Sequence, residues 1–412
     1  MMKDNFKYIL QIGTVRIVCL KVMPGNGHAQ AKIAAFYSRK ADGFERGVVK
    51  DLAKASETLR QIFREATGGA NEAILPAKVV VSHDHLKNFI FGSSIYFYGN
   101  PHALNMKDVR DVIAQTRSVA TIPLNEMIIQ AVPQEFLVND LSGISNPIGL
   151  EATRLGVVLR LFTMDYTIYN NLMKTMERAD IDGQEFIPIS LASAKAVLSP
   201  EEKEEGIILV DVGGYTTRLD CYKGSILVQS QSISCGSEQI TDVIASKLNI
   251  KTEHTRRLKE TFVSAQNKSQ FADELIPVTS QDDKQAHPIP RRRLEKEAEP
   301  VIQTLINHIA SSIKQIAGEV APITQVVFTG GGAKLDGLLD VIQEQIPFSV
   351  RLGVPRNFAH LPPILADASY SGILGAINYS SLVVDTAVYA APVDSAFARA
   401  VDSAKRWVAE YF

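Results

Sequence analysis

Two stretches of alternating hydrophobic and polar residues, one near the start of the chain and one at its midpoint, follow the same pattern. Residues 8–22 form two strand-like apolar runs around a Gly-Thr turn, and residues 206–222 form two more around a Gly-Gly turn. Short apolar runs bounded by turn residues are typical of buried strands. Each half of the chain is therefore predicted to open with a strand–turn–strand unit, although the echo alone is too weak to prove an internal repeat.

The remaining apolar residues recur at helical or strand-like periods. Helices are predicted over 49–65, 106–118, 165–178, 238–248, 294–316 and 335–345. Strands are predicted over 31–37, 77–82, 89–97, 127–138, 154–162, 225–233 and 324–328. Asn105 is the expected cap of the second helix, residues 141–149 are predicted to be a loop, and residues 264–293 an extended polar excursion. These elements predict an α/β protein.

Composition narrows the class of protein. With 412 residues the chain is too long for one ordinary core, so we expect two or more domains. A net charge of -2 provides no overall field to attract nucleic acid. The three cysteines form no CxxC or Cys/His arrangement, which favours buried thiols in a reducing compartment, and His83 and His85 are predicted to be a surface pair. No signal peptide or membrane-spanning run is found, so we expect a cytoplasmic protein.

The turn Asp211–Thr217 (DVGGYTT) is the first candidate for chemistry. Its glycines let backbone N–H groups approach phosphate oxygens, to which the threonine hydroxyls can also donate. Asp211, at the strand end, can hold a hydrated Mg²⁺, which needs only one or two carboxylates. A glycine hairpin without a ligand is the alternative interpretation of this motif alone.

The second candidate is Gly330–Gly332, which follows an apolar strand and precedes a helix. An anion or a sugar can rest against backbone N–H groups at such a place. A tight strand-to-helix turn without a ligand explains this motif equally well. The chain contains neither the dinucleotide fingerprint GxGxxG nor the P-loop motif GxxxxGK[ST].

A third turn lies at Gly13-Thr14, with Arg16 after it. Three strand–turn signals in this order resemble the actin and heat-shock-chaperone ATPase superfamily. In that superfamily, two related lobes each offer a β-hairpin to the phosphates, and a third glycine loop holds the adenosine. The resemblance implies that ATP binds in a cleft between two lobes.

The segment inserted in the first half of the chain indicates the branch of this superfamily. VPQEF at 132–136, GISNPIGL at 143–150 and, upstream, GVVKD at 47–51 closely resemble the FtsA family of bacterial cell-division actin homologues. The resemblance extends from Tyr8 to about Tyr379 and resumes at the C-terminus. It implies an actin-like, two-lobed ATPase fold of two ribonuclease-H-like lobes, with the FtsA-type small α+β domain inserted and an amphipathic helix at the C-terminus.

The same resemblance divides the chain into six parts. They are the first lobe core (IA), 1–82 and 163–198; the inserted interaction domain (IC), 83–162; the second lobe core (IIA), 199–244 and 321–384; the adenosine-covering subdomain (IIB), 245–320; a linker, 385–394; and a membrane-targeting helix, 395–412.

The resemblance also implies functional residues. The expected nucleotide contacts are Gly13, Thr14, Arg16, Asp211, Gly213, Gly214, Tyr215, Thr216, Gly236, Glu238, Arg256, Lys259, Gly330, Gly331 and Gly332, with Asp211 toward Mg²⁺. Arg291, Arg292 and Arg293, placed before the long helix, would suit the acidic C-terminal peptide of FtsZ. A solvated run of charges is the competing interpretation, because Val301 stands where the family tends to have a basic residue.

Several residues depart from the pattern of the family in the parts that bind phosphate. Gln11 stands where the first turn usually begins with Asp or Glu, Arg16 where a Lys often lies, Tyr215 where a glycine is frequent, and Arg218 where an Asp is frequent. No general base for attack by water is evident. We therefore expect ATP to act as a structural clamp, with slow or absent turnover.

The last residues have the pattern of an interfacial helix. On a helix, Phe397, Val401, Val408 and Tyr411 share one face, flanked by Trp407 and Phe412 and bordered by Lys405 and Arg406. This arrangement fits a helix lying in a membrane interface with its basic residues toward anionic lipid. A helix packed on the protein's own core is the alternative, against which the small-residue linker and the FtsA resemblance both argue.

The resemblance implies a cell-division protein that binds ATP, polymerises on the inner face of the cytoplasmic membrane and tethers FtsZ filaments there. Its expected partners are the FtsZ C-terminal peptide, other copies of itself, membrane lipids and later division proteins. A pilus-assembly actin homologue that recruits a membrane partner is the first alternative. A sugar kinase or chaperone ATPase is the second, but the chain lacks an evident sugar-facing catalytic Asp and has no room for a chaperone's substrate domain.

Overall fold

This computed structural model describes residues 6–25, 31–69, 75–266, 273–279, 286–356, 358 and 361–379. Its strands are β1 Lys7–Ile12, β2 Arg16–Met23, β3 Lys32–Lys40, β4 Phe44–Glu45, β5 Val48–Val49, β6 Leu75–Val81, β7 Lys87–Tyr96, β8 His102–Ala103, β9 Glu126–Val138, β10 Leu141–Ile144, β11 Glu151–Ala152, β12 Arg154–Asp165, β13 Ile181–Pro188, β14 Ile207–Val212, β15 Thr217–Lys223, β16 Ile226–Ile233, β17 Leu275–Thr279, β18 Ala286–Pro290, β19 Gln325–Thr329 and β20 Ser349–Leu352. Its α-helices are α1 Leu52–Thr67, α2 Met106–Val119, α3 Tyr166–Arg178, α4 Ile189–Val197, α5 Pro200–Glu205, α6 Glu238–Leu248, α7 Thr252–Phe262, α8 Arg291–Glu319, α9 Leu338–Gln345 and α10 Ser371–Asn378.

Each half of the chain builds a five-stranded sheet with the same order and directions. The first sheet runs β13-β6-β1-β2-β3, and the second runs β20-β19-β14-β15-β16. In both, an antiparallel meander of three strands is extended on one side by two parallel strands. The apolar central strands β1 and β14 are almost wholly buried because both faces of each sheet are covered. The echo seen in the sequence is thus a true structural repeat, and the two-lobed α/β fold is confirmed.

The insert forms a smaller layer of its own. Its sheet runs β10-β9-β12-β7 and is covered by α2, whose Val112 and Ile113 are fully buried in a separate apolar core. The expected cap of α2 is confirmed, because the Asn105 side chain accepts from Lys107 N while the Asp108 carboxylate accepts from Asn105 N.

The insert also docks on the second lobe. Arg160 on β12 donates to Leu227 O at 3.2 Å, to Val228 O at 2.7 Å and to Asn88 Oδ1 at 2.6 Å. The bonds to Leu227 and Val228 cover part of β16, which is an edge strand of the second sheet. A buried, charge-assisted contact thus holds the insert, whose two ends join the first lobe, against the second lobe.

Helices α4 and α10 pack against each other at short range. A Cβ on Gly375 of α10 would lie 1.8 Å from Ala192 O of α4, a distance that no real side chain tolerates. Helix α10 comes late in the chain, yet its Ile373 and Leu374 lie in the apolar core of the first lobe. The chain therefore returns to the first lobe at this glycine contact.

Four details of the structure differ from the sequence expectations. Helix α8 begins at Arg291, so the arginine run lies in its first turn rather than before it. Residues 141–149 contain strand β10 instead of being wholly loop, and part of the polar excursion forms the hairpin β17–β18. The prediction that His83 lies on the surface is wrong. Its side chain is 1% exposed because the chain after β6 passes under the β4–β5 turn. The predicted linker 385–394 and helix 395–412 lie outside the described residues.

Substituting Gly375→Ala is expected to destabilise the protein by about 3 kcal/mol, the upper end of the usual cost of overpacking, because α4 and α10 must separate. The matched control is Gly318→Ala on the exposed side of α8, where an added Cβ meets nothing within 4 Å. This control is expected to gain up to about 1 kcal/mol through helix propensity. Thermal unfolding of the full-length variants measures both. Equal midpoints for the two would contradict the close packing of α4 on α10.

Candidate functional site

The first two glycine turns have the same geometry in the two lobes. Gly13 N donates to Arg16 O at 3.2 Å in the turn between β1 and β2, and Gly213 N donates to Thr216 O at 2.9 Å in the turn between β14 and β15. A Cβ on either glycine would lie 2.8 Å from the oxygen that closes its turn. Glycine is required at both positions because the backbone folds back on itself there.

The third turn packs directly on the second. Gly330 ends β19 with a φ of 87°, in the left-handed region, and a Cβ there would lie 2.5 Å from Asp211 Oδ1. A Cβ on Gly332 would lie 2.6 Å from Val212 Cγ1. The chain can approach the end of β14 this closely only without side chains.

The three turns enclose a cavity of about 360 Å³ between the lobes, within the range of small-ligand sites. Its lining includes these predicted residues: Gly13, Thr14, Arg16, Asp211, Gly213, Gly214, Glu238, Arg256, Lys259, Gly330, Gly331 and Gly332. Residues from opposite ends of the described chain are thus brought to one site.

Three predicted residues lie beside the cavity rather than in its lining. Thr216 closes the second turn through its backbone carbonyl. Gly236 packs beneath that turn, where a Cβ would lie 2.5 Å from Gly214 O. The side chain of Tyr215 points to the rim, and its hydroxyl donates to Asp242 Oδ2 at 2.8 Å.

Asp211 is 4% exposed at the end of β14. Burial raises the pKa of this carboxyl to about 6, although Ser193 Oγ of α4 donates to Oδ2 at 2.7 Å and the charge of Arg218 opposes the rise. Gln11 takes the equivalent place on β1, and its Oε1 is buried without a hydrogen-bond partner among the described residues. These two oxygens at the cavity edge fit a hydrated Mg²⁺ brought in by phosphates, since such an ion needs few protein ligands. The part of the chain that the structure describes contains no cluster of three or more His, Cys, Asp or Glu arranged to hold a metal alone.

Glu238 joins two cations on the side of the cavity opposite the first lobe. Arg256 Nη2 donates to Glu238 Oε2 at 2.8 Å, and Lys259 Nζ lies 3.3 Å from Oε1. Burial would raise the pKa of Glu238, but the hydrogen bonds from Arg256 and the charge of Lys259 hold it below its ordinary value. Lys259 Nζ also donates to Ser237 O at 2.9 Å. Both cations are therefore fixed in place before any ligand arrives.

Sequence reasoning missed several residues of the lining. Lys334 stands two residues after the last glycine and pairs with Asp367 at 2.6 Å. Tyr370 accepts from Arg16 Nη1 at 3.2 Å across the cavity. The sequence could have identified Lys334, because a cation just after a glycine turn is well placed to bind an anion. No sequence feature identifies Tyr370 or Ser82 as part of the lining, since only the tertiary fold brings them to the site.

The arginine run is not part of the cavity lining. Arg291 is held by Glu295 at 2.9 Å and by Glu274 at 3.5 Å, and its side chain is only 11% exposed. Arg292 pairs with Asp273 at 3.1 Å but is 67% exposed, and Arg293 is exposed as well. Arg291 thus serves the local structure, while Arg292 and Arg293 face solvent.

Comparison with known families matches two parts of the chain separately. The model of the family described as "Cell division protein FtsA" matches residues 208–375, which include two of the three glycine turns. The model described as "SHS2 domain inserted in FTSA" matches residues 93–163, which form most of the insert.

Individual relatives align over nearly the full length. Cell division protein FtsA of Pseudomonas aeruginosa is 25% identical over 407 residues, which cover 97% of this chain and 96% of that protein. The FtsA of Enterococcus hirae is 27% identical over 383 residues, covering 92% and 84%. The FtsA of Escherichia coli K12 is 25% identical over 381 residues, covering 90% and 89%.

Solved structures share the fold at lower identity. The PilM–PilN type IV pilus biogenesis complex matches with a TM-score of 0.62 at 14% identity, covering 91% of this chain and 98% of that chain. MreB5 of Spiroplasma citri bound to ADP matches with a TM-score of 0.51 at 11% identity, covering 91% and 96%. These likenesses show an actin-like fold. The separate family matches to the second lobe and to the insert, with the alignments to FtsA proteins over nearly the full length, lead to one conclusion: this chain belongs to the FtsA family of cell-division proteins.

Proposed function

We propose that this cell-division protein binds ATP with Mg²⁺ in the cavity between its lobes. The observation that carries the proposal is the convergence of three glycine turns on one cavity of about 360 Å³. Phosphates would meet the backbone N–H groups of the two hairpin turns, and the sugar and base would lie between Gly330–Gly332 and the Glu238 cluster. Bound Mg²⁺ would offset phosphate charge, with its waters held by Asp211 and Gln11.

Slow or absent hydrolysis is part of the same proposal. The two side chains at the ends of β1 and β14 are Gln11 and Asp211. An amide cannot take a proton from water, and the Asp211 carboxyl would be engaged in holding the waters of the proposed Mg²⁺. The acidic Glu238 is occupied by its two cations. ATP would then act chiefly as a clamp that holds the lobes together.

Substituting Gly331→Val should weaken ATP binding at least tenfold. An added Cβ meets only Ser369, with Oγ at 3.5 Å, so the valine begins without a clash at a residue that lines the cavity. Titration with a fluorescent ATP analogue measures the affinity, with Gly318→Val as a control glycine far from the site. A steady-state assay on the unaltered protein should give turnover below ~1 per second. An unchanged affinity in Gly331→Val would place the nucleotide elsewhere, and faster turnover would refute the clamp.

We further propose that the protein acts as a polymer on the inner face of the cytoplasmic membrane at the division site. The support is the family to which the chain belongs and the amphipathic pattern of residues 397–412. No helix in the described ranges is long and apolar enough to cross a membrane. One short interfacial helix binds weakly, so a polymer that presents many copies would gain avidity.

Membrane attachment through this segment can be tested by co-sedimentation with anionic liposomes. The full-length protein should pellet, whereas a chain ending at Ala390 should stay in solution. Val401→Asp, on the predicted apolar face, should reduce pelleting strongly because it places a charge among acyl chains. Ser403→Asp adds the same charge on the predicted polar face and serves as the control. Equal pelleting of the full and shortened chains would reject the proposal.

The partner proposed at the membrane is FtsZ, whose filaments would be tethered through their C-terminal peptide. The exposed Arg292 and Arg293 at the start of α8 support this surface, because clustered arginines pair well with carboxylates. Three cations in the first turn of a helix oppose the helix dipole, and an acidic peptide would relieve this conflict.

The double substitution Arg292→Glu with Arg293→Glu should weaken binding of the FtsZ C-terminal peptide at least tenfold, measured by fluorescence anisotropy. Arg64→Glu together with Lys54→Glu makes the same change of charge on exposed positions of α1. If both pairs weaken binding equally, the effect is one of overall charge and the proposed surface is wrong. Pilus assembly remains the alternative function, but its structural support is a likeness of fold at 14% identity.

A further inference from the structure

Tyr215, at the tip of the second turn, makes contacts in both lobes. Its ring lies beneath the guanidinium group of Arg46, whose Cζ is 4.7 Å from the ring centroid. Arg46 belongs to the first lobe, and Tyr215 belongs to the second. A cation at this distance from an aromatic face is attracted by the charge distribution of the ring.

Each member of this pair is held in place by its own lobe. The Tyr215 hydroxyl donates to Asp242 Oδ2 of α6 at 2.8 Å, which orients the ring. Arg46 lies in the turn between β4 and β5 with a φ of 50°, in the left-handed region. The next residue, Gly47, packs so closely that a Cβ would lie 2.3 Å from Ser82 O, and Ser82 lines the cavity. The turn is thus braced against the wall of the site.

The pair also lies where the lobes must separate. Tyr215 follows Gly214, which lines the cavity, and a Cβ on Gly214 would lie 2.4 Å from Thr14 Oγ1 of the first turn. The tips of the two hairpins therefore touch, with the Arg46–Tyr215 contact beside them. A nucleotide held by both hairpins would lose its contacts with one of them when these tips move apart.

We propose that Arg46 and Tyr215 form a clasp across the cleft that slows the release of a bound nucleoside triphosphate. This inference rests on the proposed binding of ATP in the cavity. Opening of the lobes would break the cation–π contact before the phosphates are freed, so the contact would add to the barrier for release. Entry into an already open cleft would be little affected.

A second contact between the lobes provides a comparison. Lys40 Nζ lies 3.2 Å from Glu253 Oε1, but the two side chains are 64% and 68% exposed. Exposed ion pairs contribute little because water and salt screen them. Tyr215 is half-buried and its ring is fixed, so the two contacts between the lobes should differ in their effect on release.

The test is the rate at which a fluorescent ATP analogue with Mg²⁺ leaves the full-length protein after excess ATP is added. Arg46→Ala and Tyr215→Leu should each speed release about two- to fivefold, as expected for a partly exposed cation–π contact. The double variant should release no faster than the faster single variant. Tyr215→Phe keeps the ring and should keep most of the slow release, and Lys40→Ala should leave the rate unchanged.

Unchanged release in both single variants, or a double variant whose effect is the product of the two, would overturn the clasp. A change in Lys40→Ala as large as that in Arg46→Ala would do the same, because it would reflect surface charge alone. If the unaltered protein binds no nucleotide, the proposed function fails as well. Normal binding with unaltered release in the variants refutes only the clasp.

Discussion

The close contact between α4 and α10 is the constraint on which the arrangement of the site depends. Gly375 allows the backbones of the two helices to meet. Both helices also reach the ends of the central strands β1 and β14. Ser193 of α4 donates to Asp211, while a Cβ on Gly372 of α10 would lie 3.2 Å from Gln11 Oε1. One helix pair therefore lies against both polar side chains, with a hydrogen bond to Asp211 and a glycine beside Gln11.

Buried charges on the second sheet extend this arrangement toward the insert. Asp211 and Arg218 are cross-strand neighbours, and Ser230 Oγ donates at 2.6 Å to Asp220 Oδ1 on the same sheet. Burial raises the pKa of Asp220 and lowers that of Arg218, so each charge alone is disfavoured and the two compensate one another. Asn88 Nδ2 of the insert donates to Ser230 O at 3.0 Å. Buried polar groups of the second sheet thus lie both beside the cavity, at Asp211, and beneath the insert, at Ser230.

The parts of the site that could be predicted from sequence are the positions where only one type of residue fits the backbone. Gly13, Gly213 and Gly330 were identifiable because a turn that folds back on itself, or a strand end that another chain segment must touch, excludes every other residue. Tyr370 could not be predicted, because its place depends on how α10 returns to the first lobe. The burial of His83 could not be predicted for a related reason, since its polar neighbours in sequence do not indicate the turn that covers it.

The departures from the family pattern at this cavity all favour binding of a nucleotide over its hydrolysis. Gln11 removes a negative charge from the first strand end, and Arg218 places a buried positive charge beside Asp211, which reduces the charge available to a metal and to a water nucleophile. Tyr215 adds a contact between the lobes where a glycine would add none. A site changed in these ways has less means of cleaving a phosphate bond and more means of keeping the lobes closed. Under the membrane attachment proposed above, persistence of the closed form would matter more than turnover, because avidity requires many copies to stay assembled at once.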